Sequence, residues 1–395
     1  MRFPEFHGEW CVSTIGEQFD LYSGNTPSRL NKEHFEGNVN WITSGELKEH
    51  YISDTKEKIS EDAATANNLK LLHPGTFVIA IYGLEADGVR GTGSITCKES
   101  TISQACMAFT QKGDVKNEFL YSWYKKHGNI IGIKYAQGTK QQNLSYDILE
   151  KFHIAYPSQD EQDKLIKFIS LLDERIASQS KLIEKLESLI KGLNDSLYAQ
   201  YGDKVLTSFA ELGTSYSGLS GKSAQDFGSG KPFITYLNVY SNNVINENDF
   251  QYVAIKNGEK QNIVEYGDVL FTLSSETPEE VGIGSVYLGK EKVYLNSFCF
   301  GIHITNMEVA FPPYLSYYVS STAFRKFIYP YAQGSTRFNL CKADFEKASI
   351  KLPTLENQKR ILSILSHIDS KIETEIQMLN LYNSQKQYLL RQMFI

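Results

Sequence analysis

Two short polar segments carry the side chains in this sequence that are best suited to contact a nucleic acid. The amides of Gln and Asn bind adenine through two hydrogen bonds, Arg and Lys bind guanine, and Ser and Thr hydroxyls bind phosphate. The first segment offers Thr139, Lys140, Gln141, Gln142 and Asn143, and the second offers Ser335, Thr336, Arg337 and Asn339. Five cations close by in sequence would add local positive charge: Lys125, Lys126, Lys134, Arg325 and Lys326. Polar loops that only cap the junction with a following helix would look the same, so the sequence leaves both interpretations open.

Residues for catalysis are much harder to find. There is no phosphate-binding G-x-x-x-x-G-K-[ST] sequence, no H-E-x-x-H and no serine nucleophile elbow. The run 311–314 (Phe-Pro-Pro-Tyr) is similar to the Asn/Asp-Pro-Pro-aromatic motif of amino-methyltransferases, but a phenylalanine replaces the residue that must hold the target amine, which favours a turn before a helix. The five cysteines are scattered and never form C-x-x-C, and the histidines are dispersed. We therefore predict a non-catalytic chain with no metal site and no cofactor of its own.

The composition sets the class of protein. The chain has 395 residues, of which 41% are hydrophobic, and a formal net charge of −6. No apolar run reaches the roughly 20 residues that span a bilayer, and the first residues lack the apolar region of a signal peptide. We expect a cytoplasmic, multidomain protein without a membrane partner. The mild acidity argues against nucleic-acid binding through bulk charge alone, although it is compatible with local basic surfaces.

An internal repeat organises the whole chain. The tetrapeptide Tyr-Ala-Gln-Gly occurs at 135–138 and again at 331–334, 196 residues later, and the match continues in register to the end of the chain. Upstream, Tyr-Ser-Gly at 22–24 corresponds to 216–218, with small gaps between the matches. The chain is therefore a duplication in which the C-terminal part of each copy stayed similar and the earlier part diverged. Divergence of the two polar segments is what two readers of different sequences would need.

Each copy ends in a heptad pattern that predicts a long helix with a narrow apolar seam. About 40 residues at about 1.5 Å each give a rod of about 60 Å. Pairing the two helices within the chain is the simplest way to bury both seams, but packing of each helix on its own globular body, or homodimerisation, remains open. The predicted pairing residues are Leu165, Ile169, Leu172, Ile176, Ile183, Leu186, Ile190, Ile361, Leu365, Ile368, Ile372, Leu379 and Tyr382.

The remaining sequence reads as two α+β bodies. Short β-rich runs at 76–82, 268–273 and 293–304 lie between Gly, Asn, Pro and Ser residues, and helices are predicted near 116–127 and 314–327. The predicted domains are 1–150, a helical spacer at 151–200, a second body at 201–350 and a second spacer at 351–395.

This pattern resembles the specificity subunit of type I restriction–modification systems. The resemblance rests on the duplicated architecture, on 22–28 (Tyr-Ser-Gly-Asn-Thr-Pro-Ser), on 41–47 (Trp-Ile-Thr-Ser-Gly-Glu-Leu), on 74–78 (Pro-Gly-Thr-Phe-Val), and on Pro157 with Glu161-Gln162 at the start of the helix. The second copy departs from the family pattern, with Asn357-Gln358 in place of Glu-Gln and Gly218-Leu219-Ser220 in place of Gly-x-Thr-Pro.

The resemblance implies two α/β target-recognition domains, separated by two long helices that form an antiparallel coiled coil with an internal pseudo-two-fold repeat. It also implies that each domain reads one half of a bipartite site on double-stranded DNA and that the helices fix the gap between the halves. Modification (methyltransferase) subunits would bring S-adenosylmethionine and methylate adenine, and a restriction (motor-nuclease) subunit would bring ATP and Mg²⁺. The alternative from another class of function is a coiled-coil scaffold whose globular domains bind proteins rather than DNA.

Overall fold

The computed structural model describes residues 2–85, 88–138, 142–201 and 204–394, and the chain forms two compact units. Unit 1 comprises Met1–Ser180 together with Gln377–Ile395, and unit 2 comprises Lys181–Ile376. The domain boundaries that we predicted at residues 150, 200 and 350 divide the chain differently and stay predictions. No helix in the described ranges is both long and apolar enough to cross a membrane.

Unit 1 is built on a five-stranded sheet and two smaller ones. The large sheet has the strand order β2-β9-β6-β7-β4, β3 lies between β5 and β8 in a three-stranded sheet, and β1 pairs with β10. The strands are β1 (Cys11–Thr14), β2 (Phe19–Ser23), β3 (Val39–Ile42), β4 (Tyr51–Ile52), β5 (Lys58–Ile59), β6 (Phe77–Ala80), β7 (Gly93–Thr96), β8 (Ser100–Ile102), β9 (Cys106–Gln111) and β10 (His153–Tyr156). The helices that begin in this unit are α1 (Ile15–Gln18), α2 (Glu61–Ala66), α3 (Asn117–Tyr135), α4 (Tyr146–Leu149) and α5 (Gln159–Gln200).

Unit 2 repeats this plan. Its strands are β11 (Lys204–Thr207), β12 (Gly213–Ser217), β13 (Phe227–Ile234), β14 (Gln251–Val253), β15 (Val269–Thr272), β16 (Ser274–Ser275), β17 (Gly284–Val286), β18 (Tyr294–Leu295), β19 (Cys299–Ile304), β20 (Ala332–Gln333), β21 (Phe338–Leu340) and β22 (Ile350–Pro353). Its helices are α6 (Phe209–Leu212), α7 (Tyr236–Ser241), α8 (Pro312–Tyr318), α9 (Thr322–Ile328), α10 (Lys342–Lys347) and α11 (Leu355–Met393).

The sheets of unit 2 have the same strand connections as those of unit 1. The order β12-β19-β15-β17 corresponds to β2-β9-β6-β7, the sheet β14-β13-β18 corresponds to β5-β3-β8, and the pair β11-β22 corresponds to β1-β10. Val244 bridges Val286 in parallel, where unit 1 has the parallel pair β4 and β7. The duplication predicted from the sequence is therefore present in the topology, and the mixed α and β fold with two long helices is confirmed.

The two long helices run antiparallel in each unit. In unit 1 Asp173 of α5 forms an ion pair with Lys386 of α11, and the Arg175 guanidinium donates a 2.6 Å hydrogen bond to the Tyr382 hydroxyl. The residue number on α11 falls as the residue number on α5 rises, so the two helices run antiparallel. In unit 2 Leu197 near the end of α5 shares one apolar cluster with Ile361 near the start of α11. The antiparallel arrangement expected of these helices is confirmed.

Burial along both helices follows the predicted heptad positions. The buried members are Leu165, Ile169, Ile183, Ile361, Leu365 and Ile372, and the half-buried members are Leu172, Ile176, Leu186, Ile190, Ile368, Leu379 and Tyr382. Large apolar residues off the seam are exposed, such as Leu182, Leu189 and Ile364. Leu165 and Ile169 also belong to the core of unit 1, so the first turns of α5 pack on the globular body as well.

A buried glutamine fixes the start of each long helix in the same way. The Gln162 amide donates to the carbonyls of Pro157 (3.0 Å) and Asp114 (3.1 Å), and its oxygen accepts from the Lys116 N–H (3.0 Å). In the second copy the Gln358 amide donates to Pro353 and Val309, and its oxygen accepts from the Phe311 N–H at 2.8 Å. Each glutamine therefore joins its long helix to the loop just before α3 or α8. This shared role explains why both copies have a glutamine at this position.

Three sequence predictions of local structure need correction. The run 293–304 is two strands, β18 and β19, because the Asn296 side chain accepts from the Phe298 N–H (2.9 Å) and its carbonyl accepts from the Cys299 N–H (3.0 Å), which closes a turn. The helix predicted at 314–327 is two helices, α8 and α9, because Ser321 caps the second of them. The helix predicted at 116–127 extends to Tyr135 as α3.

Candidate nucleic-acid interface

The second polar segment is the turn of a β-hairpin in unit 2. β20 and β21 pair antiparallel with Gln333 opposite Asn339, and Asn339 on its other side pairs with Ser274 of β16. In unit 1 Gln137 and Asn143 exchange two backbone hydrogen bonds of 2.8 and 2.9 Å, and Asn143 also bridges Tyr82. The residues that flank the two polar segments therefore pair in the same register in both copies.

The glycine of the repeated tetrapeptide is required by this turn. Gly138 has φ +109° and Gly334 has φ +142°, values that residues with a side chain rarely adopt. At Gly334 a Cβ atom would lie 2.1 Å from the Arg337 carbonyl oxygen. The conserved Tyr-Ala-Gln-Gly therefore sets the geometry of the hairpin, while the residues after it are free to differ.

The hairpin of unit 2 exposes the predicted reader residues. Ser335, Thr336, Arg337 and Asn339 are all exposed. The Arg337 guanidinium lies 5.9 Å from the ring centre of Phe298, itself 56% exposed, and forms no ion pair with any described residue. A planar guanidinium held on an aromatic ring and without a carboxylate partner is available for a bidentate contact to guanine.

Arg337 borders a groove of about 700 Å³ in unit 2. One wall is formed by Tyr236 and Tyr240, whose rings stack at 5.9 Å. Their hydroxyls donate to the Ser274 carbonyl (2.9 Å) and to the Glu280 carboxylate (2.8 Å), so both rings are fixed in place. Leu237 on the same helix is 68% exposed beside them.

Two carboxylates complete the groove. Hydrogen bonds from Tyr240 and Ser275 lower the pKa of Glu280, so that it is ionised at neutral pH. Glu276 is exposed at the rim. A carboxylate accepts a hydrogen bond from the cytosine amino group, whereas it repels phosphate. The groove thus offers a guanidinium, hydroxyls, carboxylates and aromatic faces, a set suited to base edges.

The sequence did not identify Tyr236, Leu237, Tyr240 and Phe298 as part of this surface. A signal was nevertheless present: the repeat matches at Ile42-Thr43 and Ile234-Thr235, and then diverges, with Ser44, Gly45 and Lys48 standing where unit 2 has Tyr236, Leu237 and Tyr240. Loss of similarity immediately after a conserved strand marks a loop that has changed its contacts.

The matching segment of unit 1 is described only in part. Thr139, Lys140 and Gln141 lie outside the described residues. The Gln142 N–H donates to the Glu85 carboxylate (2.7 Å), and its side-chain oxygen accepts from Arg90 at 3.0 Å. The Asn143 side-chain oxygen is buried and has no hydrogen-bond partner among the described residues.

The other predicted cations divide into two groups. Lys134 and Lys326 are exposed, and Lys326 borders a cleft of about 380 Å³ with Lys191 and Tyr329. The remaining three have partners inside their own unit. The Lys125 ammonium lies 5.1 Å over the Tyr121 ring, Lys126 donates to the carbonyls of Arg391 and Phe394, and Arg325 donates to the carbonyls of Glu279, Val281 and Gly282. DNA binding by these five residues stays a prediction.

Burial also changes three of these cations chemically. Burial lowers the pKa of Lys125 to about 8, and it lowers the pKa values of Lys126 and Arg325. Within the described residues, no group of three or more His, Cys, Asp or Glu side chains is arranged to hold a metal ion.

Family comparison identifies this architecture. The family described as the type I restriction modification DNA specificity domain matches residues 7–188 and again 211–381, which is most of the chain. The chain belongs to this family. The two matched segments correspond to the two repeats of the fold, so the resemblance stated from the sequence is confirmed.

Two curated relatives from Methanocaldococcus jannaschii agree with this assignment. The specificity subunit of the type I restriction enzyme MjaIX is 28% identical over 185 residues, 46% of this chain and 42% of the relative's length. The specificity subunit of the type I restriction enzyme MjaVIII is 23% identical over 398 aligned positions, 94% of this chain and 90% of the relative. The chain therefore spans under half of the first relative and nearly all of the second.

Two solved structures share the fold over its whole length. The S subunit of a type I restriction–modification system from M. genitalium superposes with a TM-score of 0.53 at 17% identity, covering 100% of this chain and 99% of that one. A chain from a study of complex assembly and conformational transition in the type I system superposes with a TM-score of 0.63 at 15% identity, covering 98% of each chain. At these identities the structures support the fold alone.

Proposed function

We propose that this chain is the non-catalytic DNA-recognition subunit of a type I restriction–modification complex. It reads a bipartite site on double-stranded DNA, one half with each unit, and directs adenine methylation and restriction by partner subunits. One observation carries the proposal: Gln137 pairs with Asn143 in the same register as Gln333 with Asn339, and the polar sequences between the paired residues differ. A shared scaffold with divergent polar residues is what two readers of different half-sites need.

The groove beside Arg337 is the proposed reading surface of unit 2. Its guanidinium suits guanine, the Glu276 carboxylate suits the cytosine amino group, and the Ser335 and Thr336 hydroxyls suit phosphate. Exposed Leu237 and Phe298 supply apolar contact with a thymine methyl group or with sugars. The net charge of −6 gives no general attraction for DNA, so affinity depends on such local contacts and on the partner subunits.

The chemistry belongs to partners in this proposal. Modification subunits bring S-adenosylmethionine and methylate adenine, and a restriction subunit brings ATP and Mg²⁺. Apolar side chains that are exposed on the long helices give those subunits a surface to dock on. These residues are Leu171, Leu182, Leu189, Ile364, Ile376, Met378, Leu381 and Tyr388.

The test is reconstitution with the cognate modification subunit. The assembled complex should transfer methyl groups to a random duplex library only at molecules that contain one bipartite sequence, and the modification subunit alone should not select any sequence. Assembly without sequence preference in the same assay would instead favour a coiled-coil scaffold whose globular domains bind proteins.

A further inference from the structure

Unit 2 contains a second cleft, of similar volume, that the proposed DNA reading does not use. It has a volume of about 710 Å³ and lies between α5, α11, the end of α8 and the loop that follows α7. Its polar lining includes the carboxylates of Glu187, Asp369 and Glu373, with Lys191 as the one cation among the lining residues.

The internal repeat shows what occupies the corresponding place in unit 1. On the helices, Asp369 corresponds to Asp173 and Ile190 to Lys386, both at the offset of 196 residues. In the loop after α7, Asn243 and Val244 correspond to His50 and Tyr51, because Val244 and Tyr51 form the matching parallel bridges and the Asn243 and His50 carbonyls accept from the Val286 and Ile95 N–H groups. Lys116 and Phe311 are equivalent, because their N–H groups bind Gln162 and Gln358. Counting the same number of residues onward from each shows that Ser320, at the end of α8, corresponds to Lys125.

Unit 1 fills this place with its own side chains. The His50 ring stacks between Tyr51, with ring centres 4.1 Å apart, and Tyr121 at 3.9 Å. Its Nε2 lies 2.8 Å from the Glu118 carboxylate, and its Nδ1 lies 3.5 Å from Asp173. Asp173 also binds the Lys386 ammonium. Cations from the recognition body and from α11 thus neutralise the half-buried Asp173 carboxylate.

Unit 2 has kept the carboxylate and lost the cations. Asn243, Ser320 and Ile190 replace His50, Lys125 and Lys386, so three cationic positions are now uncharged. Pro313 replaces Glu118, but the long helices have gained two carboxylates, because Glu373 stands where unit 1 has Ala177, and Glu187 where it has Asn383. Neither Glu187 nor Glu373 forms an ion pair with a described residue, whereas Asp369 accepts a hydrogen bond from Tyr317.

An unsatisfied buried amide points to a missing occupant. Asn194 lines the cleft, is only 5% exposed, and stands where unit 1 has the apolar Leu390. Its nitrogen donates to the Tyr317 carbonyl at 2.8 Å, but its oxygen has no hydrogen-bond partner among the described residues. A buried acceptor without a donor is costly, and a donor brought by another molecule would relieve that cost.

We infer that this cleft receives a lysine or arginine side chain from the modification subunit, at the place where unit 1 uses its own cations. The inference rests on the function proposed above, which supplies the partner. The incoming cation would meet Asp369, Glu373 and Glu187 and give Asn194 its donor. Unit 1 needs no such side chain, so the two units bind their partners by different contacts.

The test transplants the occupant of unit 1 into unit 2. The variant Ile190→Lys/Asn243→His/Val244→Tyr should raise the Tm of the free chain by about 2–4 °C, because the cleft is filled from within. The same variant should weaken binding of the modification subunit by roughly tenfold or more in calorimetry, the effect expected when a desolvated charge pair at an interface is lost. Asp369→Asn/Glu373→Ala removes the charges without adding bulk and should weaken binding similarly.

Glu174→Gln is the matched control, since Glu174 is an exposed carboxylate on α5 in unit 1, and it should leave binding unchanged. Wild-type affinity for both cleft variants would overturn the inference while leaving the proposed function intact. Failure of the wild-type chain to bind the modification subunit would instead defeat the proposed function and the inference with it. Stabilisation of the wild-type chain, but not of the filled variant, by spermidine, with assembly unaffected, would assign the cleft to a free polyamine and contradict the inference.

Discussion

Arg337 is the residue whose side chain is most directly placed for reading a base in unit 2. It is exposed, lies over Phe298, and is free of carboxylate partners among the described residues. We predict that Arg337→Ala costs about 1–3 kcal/mol of binding to the cognate duplex and relaxes one position of one half-site, because a bidentate guanine contact is lost. Methylation of a randomised duplex library by the reconstituted complex measures both effects.

The control for this substitution is Arg360→Ala. Arg360 is an exposed arginine that pairs with Glu356 one turn earlier on α11, away from the groove. It should leave sequence preference unchanged. An Arg337→Ala complex with wild-type preference at every position would remove Arg337 from the set of readers.

The buried glutamines give a prediction about stability. Gln162→Ala removes three hydrogen bonds and leaves the Lys116 N–H and two carbonyls without partners. We expect the free energy of unfolding of unit 1 to fall by about 2–4 kcal/mol, since each buried group left without a hydrogen bond costs about 1–3 kcal/mol. Urea unfolding followed by hydrogen exchange measures this, with exposed Gln200→Ala as the control. A loss below 1 kcal/mol would show that water replaces the amide.

For individual residues, the sequence predicted which side chains could bind DNA better than it predicted where those side chains point. Ser335, Thr336, Arg337 and Asn339 are exposed as DNA readers must be. Lys125 and Arg325 looked equivalent to them in sequence, but Lys125 lies on α3 one turn after Tyr121 and covers its ring, and Arg325 binds three carbonyls. The direction of a long side chain depends on what packs beside it, which a single sequence does not contain.

At the scale of elements, the contact of α5 and α11 with the recognition body of unit 1 should depend on pH. Burial alone would lower the pKa of His50, but the ion pair with Asp173 and the hydrogen bond to Glu118 outweigh it, and the pKa is raised above the ordinary 6.5. A raised pKa means that protonated His50 stabilises the folded state fully below pH 6.5 and that this contribution is lost as the pH rises through the folded pKa.

Unit 1 should therefore lose stability between about pH 6.5 and 8 in urea titrations, and His50→Gln should flatten that dependence. Asp173 stays ionised throughout this range because its pKa is lowered: burial opposes ionisation, but His50 and Lys386 outweigh it. Above pH 8 the lowered pKa of Lys125 acts in the opposite direction, which is why the range stops there. A wild-type profile as flat as that of His50→Gln would contradict the ion cluster.

The seam of α11 supports a second prediction at this scale. Ile361 is fully buried, whereas Ile364, three residues later, is 40% exposed. Ile361→Asp should destabilise unit 2 by about 3 kcal/mol or more because it buries an unpaired charge, and Ile364→Asp should cost under about 1 kcal/mol. Chemical denaturation of the two variants measures the difference. Equal losses would mean that the seam is not where the heptads place it.

The sequence predicted best the elements that carry a sustained heptad pattern or that have a matching copy elsewhere in the chain. Both long helices and the duplication belong to this class. The helix α3 was underestimated because Gly128 and Gly132 disfavour helix, yet a Cβ at Gly128 would lie 2.7 Å from the Tyr124 ring, and one at Gly132 2.5 Å from the Arg90 side chain. Tertiary packing thus overrides local propensity there, and single side chains such as Ser321 break elements that the apolar pattern alone would continue.

At the scale of the whole molecule, the duplication separates what is shared from what differs. The buried glutamine, the positive-φ glycine and the antiparallel helices are common to both copies, whereas the polar residues of the hairpin segment and the side chains at the cleft position are not. Under the proposed function, the shared parts serve assembly and the divergent parts serve recognition.

The proposed role of the long helices in fixing the gap between half-sites can be tested by lengthening both. Inserting one heptad into each helix keeps the seam in register and adds about 10 Å. At about 3.4 Å per base pair, the recognised site should gain about three base pairs between its halves, with both half-sites unchanged. Methylation of duplexes with graded spacers measures this, and an unchanged optimal spacer would contradict the role.

Under the proposed function, this chain determines which DNA sequence is methylated. The most direct measurement is sequencing of methylated adenines across the genome of cells with and without the chain, followed by its restoration. We expect one bipartite motif to lose its methylation when the chain is absent and to regain it when the chain returns. An unchanged set of methylated motifs would contradict it.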